Sequence, residues 1–431
     1  MSKRITSKRS NTSNTSLESL VADAAYLAKF RARFPALRRV HNGHAVAYFD
    51  GPGGTQAPTD VADAMSDYLL NHNANTAWAY PTSMETDAAI EQARAALADF
   101  VGGSPDEIVF GANMTTLTFH VSRALGRTWG PNDSIVVTEL DHHANIDPWR
   151  HLAKERGCKV ITVRLNPKTG QHIPGDLERA LGACPKLLAI GAASNAIGTM
   201  PDIVAATKLA HDAGALVFVD AVHMAPHTLP DVRALDCDFL ACSAYKFYGP
   251  HIGVLWGRRD LLASLDVPKV APAPDEAPDR LETGTQNHEG IVGARAVVDF
   301  LASFGTGTTR RDRLRSAYAA MHEHTASLFA HLWDGLGAMR GVTRYGPPPG
   351  TPRTPTISIA IEGVSAHDAA SALADHGLFL SHGDFYATTV AERLGREGDL
   401  LRIGLTAYSS RDEVDRLLTR VEELTAVYSA R

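Results

Sequence analysis

The chain of 431 residues is too long for one small domain and suits two or three, at roughly 150 residues each. Hydrophobic residues make up 44% and charged residues 21%, with 35 Gly and 23 Pro, which excludes a disordered, collagen-like or coiled-coil chain. Lys plus Arg number 42 against 48 Asp plus Glu, a formal net charge of −6, so no overall positive field draws the chain to nucleic acid or anionic lipid.

Residues 1–16, MSKRITSKRSNTSNTS, are Ser-rich, basic and free of acids, and read as a disordered tail; an organelle transit peptide shares that composition, but no apolar face is present. No run approaches the roughly 20 apolar residues that a membrane helix needs. Cys158, Cys184, Cys237 and Cys242 have no CxxC spacing and are too sparse for a disulfide framework or a zinc knuckle, which predicts a reducing, cytoplasmic setting and no metal.

From about Gly51 to Gly257, helix-period segments alternate with short apolar runs, the pattern of a largely parallel sheet with crossover helices. Thr59 is predicted to cap a helix through Leu70, and a helix from about Ser83 is predicted to close at Gly102 and Gly103. The expected strands are 134–138, 159–165, 187–194, 215–222, 239–246 and 253–257. Several are apolar throughout, as strands covered on both faces must be. A Pro-rich charged loop (271–280) precedes a long helical pattern from about Arg310 to Met339. A strand TISIAIEG, a helix from Ser365 to His376, a strand LRIGLT and a final helix with a Ser410/Glu413 capping box then read as a smaller α/β domain. The predicted division is a large domain over 51–304 and a small one from 17–50 and 305–431.

Lys246 ends the run FLACSAYK and so is expected at the carboxyl end of a core strand, where open α/β sheets place their ligands. Poor solvation there favours the free amine, the form that condenses with an aldehyde, although a single lysine at a strand end can also snorkel to solvent. Asp220, twenty-six residues upstream, ends ALVFVD in the same way. Its carboxylate can hold a pyridinium nitrogen protonated, or merely cap the next turn. In FGANMTTLTF the chain enters a helix near Asn113, Met114 and Thr115, a phosphate cradle or a plain N-cap. His142 and His143 lack an acidic or cysteine partner at ligand spacing, so an aromatic cation over a cofactor ring suits His142 better than a metal. Asn195 in SNAIG can donate to a ring oxygen, although turns favour Asn anyway.

These residues, in this order, resemble the class V aminotransferase group of pyridoxal 5'-phosphate (PLP) enzymes, in particular its cysteine desulfurase and selenocysteine lyase branch. The segments LDHHANIDPW, VDAVHMAPH, LDCDFLACSAYKFYGPHIGVLW and LETGTQNHEG carry the likeness. It implies PLP fold type I, with a mostly parallel central sheet and a smaller C-terminal α/β domain, and a homodimer with shared sites. By the same likeness Lys246 binds PLP as a Schiff base, Asp220 pairs with the pyridine nitrogen and His142 stacks on the ring, with Asn195 and His223 along the ring-oxygen side. Phosphate contacts are implied for Asn113, Met114, Thr115, Ser243 and Tyr245, and for Thr285 of a second subunit. Arg402 is implied to hold the substrate carboxylate, with Gly53 and Gly54 giving it room.

One departure decides the expected reaction. Desulfurases of this branch carry a nucleophilic cysteine in a segment like RxGHHCA, whereas here LSHGDFYA puts Tyr386 in its place and Ser381 in place of a nearby arginine; no cysteine lies beyond position 242. Persulfide transfer needs a thiolate. The expectation is therefore a PLP-dependent lyase that eliminates a sulfur-bearing group from an amino acid, with Tyr386 at the substrate side. The alternatives are an epimerase or racemase, an aminotransferase, and a non-catalytic PLP-fold protein.

Overall fold

The computed structural model describes residues 25–429, so the expected tail at 1–16 lies outside the described residues. Seven strands form the main sheet: β1 (Ile108–Gly111), β2 (Ser134–Thr138), β3 (Lys159–Val163), β4 (Leu187–Gly191), β5 (Leu216–Asp220), β6 (Phe239–Ser243) and β7 (Gly253–Gly257). Their spatial order is β1-β7-β6-β5-β4-β2-β3. The neighbours from β6 to β3 pair in parallel, while β7 runs antiparallel to both β6 and β1.

The near-continuous apolar strands follow from coverage on both faces. Val136, Leu188, Val217, Leu240 and Val254 face one core with Leu97, Phe100 and Ala294. Their alternates Ile135, Val137, Phe218, Phe239 and Leu255 face the other, with Leu117, Trp149 and Leu152. Four expected strands end early, among them 187–194 at Gly191 and 215–222 at Asp220. The run 159–165 stops at Val163, where the Arg164 amide turns to Asp176 Oδ2 at 2.8 Å, and the run 239–246 stops at Ser243, leaving Lys246 in a single 3-10 turn.

The helix Pro81–Val101 ends on Gly102 at φ +80°, a left-handed cap that glycine takes without strain. At Thr59 the expectation fails: Pro58 is the N-cap, Thr59 is the first helical residue and no side chain caps this helix.

A second, antiparallel sheet comprises β8 (Val342–Tyr345), β9 (Thr356–Ile361), β10 (Ser381–Gly383) and β11 (Leu400–Gly404), in the order β8-β9-β11-β10. Helix Arg310–Ala338 and the terminal helix Arg411–Ser429 cover it. The latter starts with the expected capping box: the Ser410 amide donates to Glu413 Oε2 at 2.8 Å and the Glu413 amide to Ser410 Oγ at 3.3 Å.

The described part of 17–50 divides between the two cores. Ala47 and Phe49 pack with Ile357 and Ile403. Phe30 and Phe34 instead join an aromatic cluster with Tyr248, Phe300 and Tyr408 that bridges the main sheet's helices and the loop after β11.

Candidate active site

Parallel pairing sends the carboxyl ends of β2, β4, β5 and β6 to one rim. Asp220, the last residue of β5, and His142, Asn195 and Lys246, just beyond β2, β4 and β6, line one cavity of about 540 Å³ together with Asn113, Met114, Thr115, His223, Ser243 and Tyr245. At one end, helix Met114–Leu125 points its amino terminus into the cavity, and Ser243 Oγ accepts from the Met114 amide at 3.0 Å, so the serine O–H can donate elsewhere. At another, Asp220 is 7% exposed and accepts the Val222 amide at 2.9 Å, so it caps the following turn while it also lines the cavity. Burial pushes the Asp220 carboxyl up to about 6.

Lys246 Nζ donates to the carbonyl oxygens of Pro52 and Gly53, the latter at 3.1 Å. Burial pushes its amine down to about 7, and the nearby Arg402 charge adds to this; Asp220 and Asp50 oppose it. The turn that carries Lys246 is held by Thr55, whose amide donates to Tyr245 O at 3.1 Å and whose hydroxyl accepts the Tyr248 amide at 2.7 Å. The Gly51–Gly54 turn must lie close: a Cβ on Gly54 would stand 3.2 Å from the Tyr245 ring, and one on Gly53 3.6 Å from Arg402 Nη2.

His142 is not the cation expected from the sequence. Its Nδ1 accepts the Ala144 amide at 2.9 Å, and burial, with Lys246 nearby, lowers its pKa to about 4. The ring is therefore neutral near pH 7, with its proton on Nε2. His143 turns away, Nδ1 to Asp147 at 3.0 Å and Nε2 to the Thr388 hydroxyl at 2.6 Å. Beneath this turn the buried Asp141 accepts from Thr138 Oγ1, the Gly191 amide and Asn145 Nδ2 within 2.9 Å, which joins β2, β4 and the segment leading into the helix Asp147–Arg156.

Asn195 and His223 leave buried polar atoms unpartnered inside the fold. Asn195 Nδ2 donates to Phe385 O at 2.9 Å while its Oδ1 has no partner, and His223 Nε2 lies 3.1 Å from both Thr354 Oγ1 and Thr356 Oγ1 while its Nδ1 has none. Buried groups of this kind are normally satisfied, so they ask for a polar occupant.

A second cavity of about 620 Å³ shares His142, Asn195 and Lys246 with the first and extends past Arg402, Phe385 and Tyr386. Arg402 is 4% exposed; Nη1 donates to Asn195 O at 3.0 Å, Nη2 to Ser381 Oγ at 3.3 Å, and Nε has no partner. Its register opposite both Ser358 and Ser381 places it on the inner strand β11. Tyr386 is 73% exposed and its ring stacks on His142 with centroids 5.6 Å apart. Thr285 is exposed and lines a separate surface cavity, which shares Ala112, Thr116 and His251 with the first.

The sequence reading missed Asp50, Thr55, Asp141, His251 and Phe385. The FDGPGGT segment was the available signal for the first two, since an acid before a glycine turn marks a close approach. The donor set fits PLP: a helix start with hydroxyls for a phosphate, an acid for the ring nitrogen, two unpartnered polar atoms beside the ring and a desolvated amine for the aldehyde.

A family model described as aminotransferase class-V matches residues 47–417. A probable cysteine desulfurase of Halobacterium salinarum is 32% identical over 419 residues, 93% of this chain and 96% of the relative. Among solved structures, a cysteine desulfurase from Thermococcus onnurineus superposes with a TM-score of 0.82 at 29% identity, over 92% of this chain and 99% of that one. One from Escherichia coli superposes with a TM-score of 0.80 at 27% identity, over 93% and 99%. The architecture is thus PLP fold type I, as the sequence predicted.

Proposed function

Because the chain belongs to the aminotransferase class-V family and is a PLP-dependent enzyme, we propose that it acts on an amino acid as a carbon–sulfur lyase, by elimination across the α and β carbons. Bound PLP supplies an electron-withdrawing ring that stabilises negative charge at the α carbon. Asn113, Met114, Thr115, Ser243 and Tyr245 would hold its phosphate, Asp220 its ring nitrogen, Asn195 and His223 its ring oxygen, and His142 would contribute from the same cavity. Arg402 takes the substrate carboxylate through its unpartnered Nε edge, a charge-assisted contact in a site shielded from water. Lys246 is the base that removes the α proton, since at about 7 its amine loses its own proton near neutrality. Neutral His142 keeps a proton on Nε2 that it can give to departing sulfur.

The observation that carries this reading is the missing thiol. By the family resemblance Tyr386 stands where desulfurases carry their cysteine, and none of Cys158, Cys184, Cys237 or Cys242 lines either cavity. Burial raises the Cys237 thiol to about 12 and Cys242 further still, so neither offers a thiolate. Sulfur that cannot pass to a cysteine of the site leaves as a free thiol.

Thr285 supports a homodimer, because it sits at the surface beside the phosphate end of the cofactor cavity, where a second copy's residue can complete the cradle. No described helix is long and apolar enough to cross a membrane; sparse, unpaired cysteines support a cytoplasmic setting.

The test is incubation of the holoenzyme with L-cysteine, selenocysteine, cysteine sulfinate and S-substituted cysteines. Pyruvate and ammonia in equal amounts are expected from at least one. α-Deuterium exchange without keto acid means racemisation, and turnover that depends on an added keto acid means transamination; either result overturns the lyase reading.

A further inference from the structure

The cavity around Arg402 is larger than a thiol-bearing side chain requires, and its outer wall has a chemistry of its own. Arg402 and Lys246 stand at its inner end, whereas Phe119, His143, Asp147, Pro148, His151 and Tyr386 line much of the rest. Both ring nitrogens of His143 are engaged, by Asp147 and Thr388, and Asp147 also meets Arg150 at 3.7 Å. Phe119 and His151 lie with ring centroids 6.0 Å apart. This wall therefore offers ring faces, a proline and a carboxylate already paired with His143 and Arg150, and no lysine or arginine to hold a thiolate or sulfinate. The whole cavity is about 620 Å³, which includes the inner part around Lys246, His142 and Asn195 that it shares with the cofactor cavity. A benzene molecule needs roughly 150 Å³ in a protein interior, so the outer part has room for a ring.

We infer that this outer cavity is the subsite for a bulky, neutral, flat substituent on the substrate sulfur, so that the substrate is an S-substituted cysteine, a thioether, and not free cysteine. The inference rests on the carbon–sulfur lyase reading. The reaction then balances without oxidant or reductant. The α proton passes to Lys246, the Cβ–S bond breaks with its electron pair on sulfur, and the sulfur takes a proton and leaves as a thiol. Water converts the three-carbon remainder to pyruvate and ammonia. The substituent adds apolar contact that free cysteine cannot make, which in hydrophobic pockets is worth about tenfold or more in specificity.

The experiment compares S-benzyl-L-cysteine, S-methyl-L-cysteine and L-cysteine as substrates of the holoenzyme by pyruvate release. In parallel it measures the affinities of S-benzyl-α-methyl-L-cysteine and α-methyl-L-cysteine by calorimetry; neither has an α proton, so neither can be eliminated. The expected result is a preference for the benzyl compounds of about tenfold or more in both kcat/KM and Kd, reduced several-fold in Phe119→Ala and His151→Ala. Equal or weaker binding of the benzyl analogue overturns the subsite. Pyruvate from all three substrates without preference overturns the inference and leaves the lyase reading standing. Tight binding of the benzyl analogue with no pyruvate from any substrate overturns the lyase reading, and the thioether assignment with it.

Discussion

The ring of Phe385 lies over the guanidinium of Arg402, 4.0 Å from its centroid to Cζ. A cation stacked this way keeps its N–H edge free for a carboxylate while one face is shielded from water. The stack is held in place by backbone that resists it, because Phe385 and Tyr386 both have positive φ, +61° and +55°. Hydrogen bonds fix the segment: Asn195 Nδ2 to Phe385 O, the His143 amide to Tyr386 O at 2.8 Å, and the Tyr386 amide to Asp384 Oδ1 at 3.0 Å.

Phe385→Ala is expected to raise KM for amino-acid substrates several-fold with a smaller effect on kcat, since the contact orients a binding group. Arg402→Lys is expected to cost more, on the order of a hundredfold in kcat/KM, because a point charge replaces a two-pronged donor. Steady-state kinetics on both variants decide this, and an unaltered KM in Arg402→Lys would place the carboxylate elsewhere.

Lys246 predicts how the apoprotein takes up PLP with pH. Only the unprotonated amine attacks an aldehyde, and burial holds this amine at about 7. The rate of reconstitution, followed by stopped-flow absorbance, should rise with pH through about 7 and then level off; a rise continuing towards 10 would mean a solvated lysine. Lys246→Ala should lose the visible absorbance band and covalent trapping by borohydride.

Asp50 sits beside both cations of the site. One of its carboxylate oxygens, Oδ1, is buried without a partner, and its charge raises the affinity of Lys246 and Arg402 for their protons. Asp50→Asn removes that support. The midpoint of the reconstitution profile should therefore move to lower pH, and a shift to higher pH would contradict the assigned geometry.

His227 is buried beside His223, with ring centroids 5.5 Å apart, and burial lowers its pKa to about 3. An unfolded histidine takes up its proton near pH 6.5 while the folded one does not, so this residue costs stability as pH falls below about 6.5 and nothing above it. The slope is about 1.4 kcal/mol per pH unit per proton. In His227→Gln the loss of stability between about pH 7 and pH 5, from urea unfolding, should be smaller by about 2 kcal/mol than in the parent. An identical loss in both would mean that His227 is charged in the fold.

The expected strands at 134–138 and 253–257 coincide with β2 and β7, and the long helix from Arg310 ends one residue short of the expected Met339. These were legible because apolar continuity, turn residues and capping pairs act over a few neighbours. The early end of β3 was not, since Arg164 turns to an acid twelve residues on, which periodicity does not register. Lys246 and Asp220 at strand ends were readable as a pair, whereas the antiparallel direction of β7 was not, because a short apolar run looks the same in either sense.

The order of elements, the rim on which Lys246, Asp220, Asn195 and His142 emerge, and the lack of a thiol beyond position 242 were settled by the amino-acid sequence itself, through local propensity and composition. Tertiary structure alone decided that His142 is neutral, that Phe385 covers Arg402, that Asp50 stands beside Lys246, and that Phe119 and His151 share a wall. These depend on which groups meet across long stretches of chain and on how much water they lose there. Desolvation and charge proximity, which set protonation and pocket chemistry, are properties of the packed arrangement and have no local sequence signal.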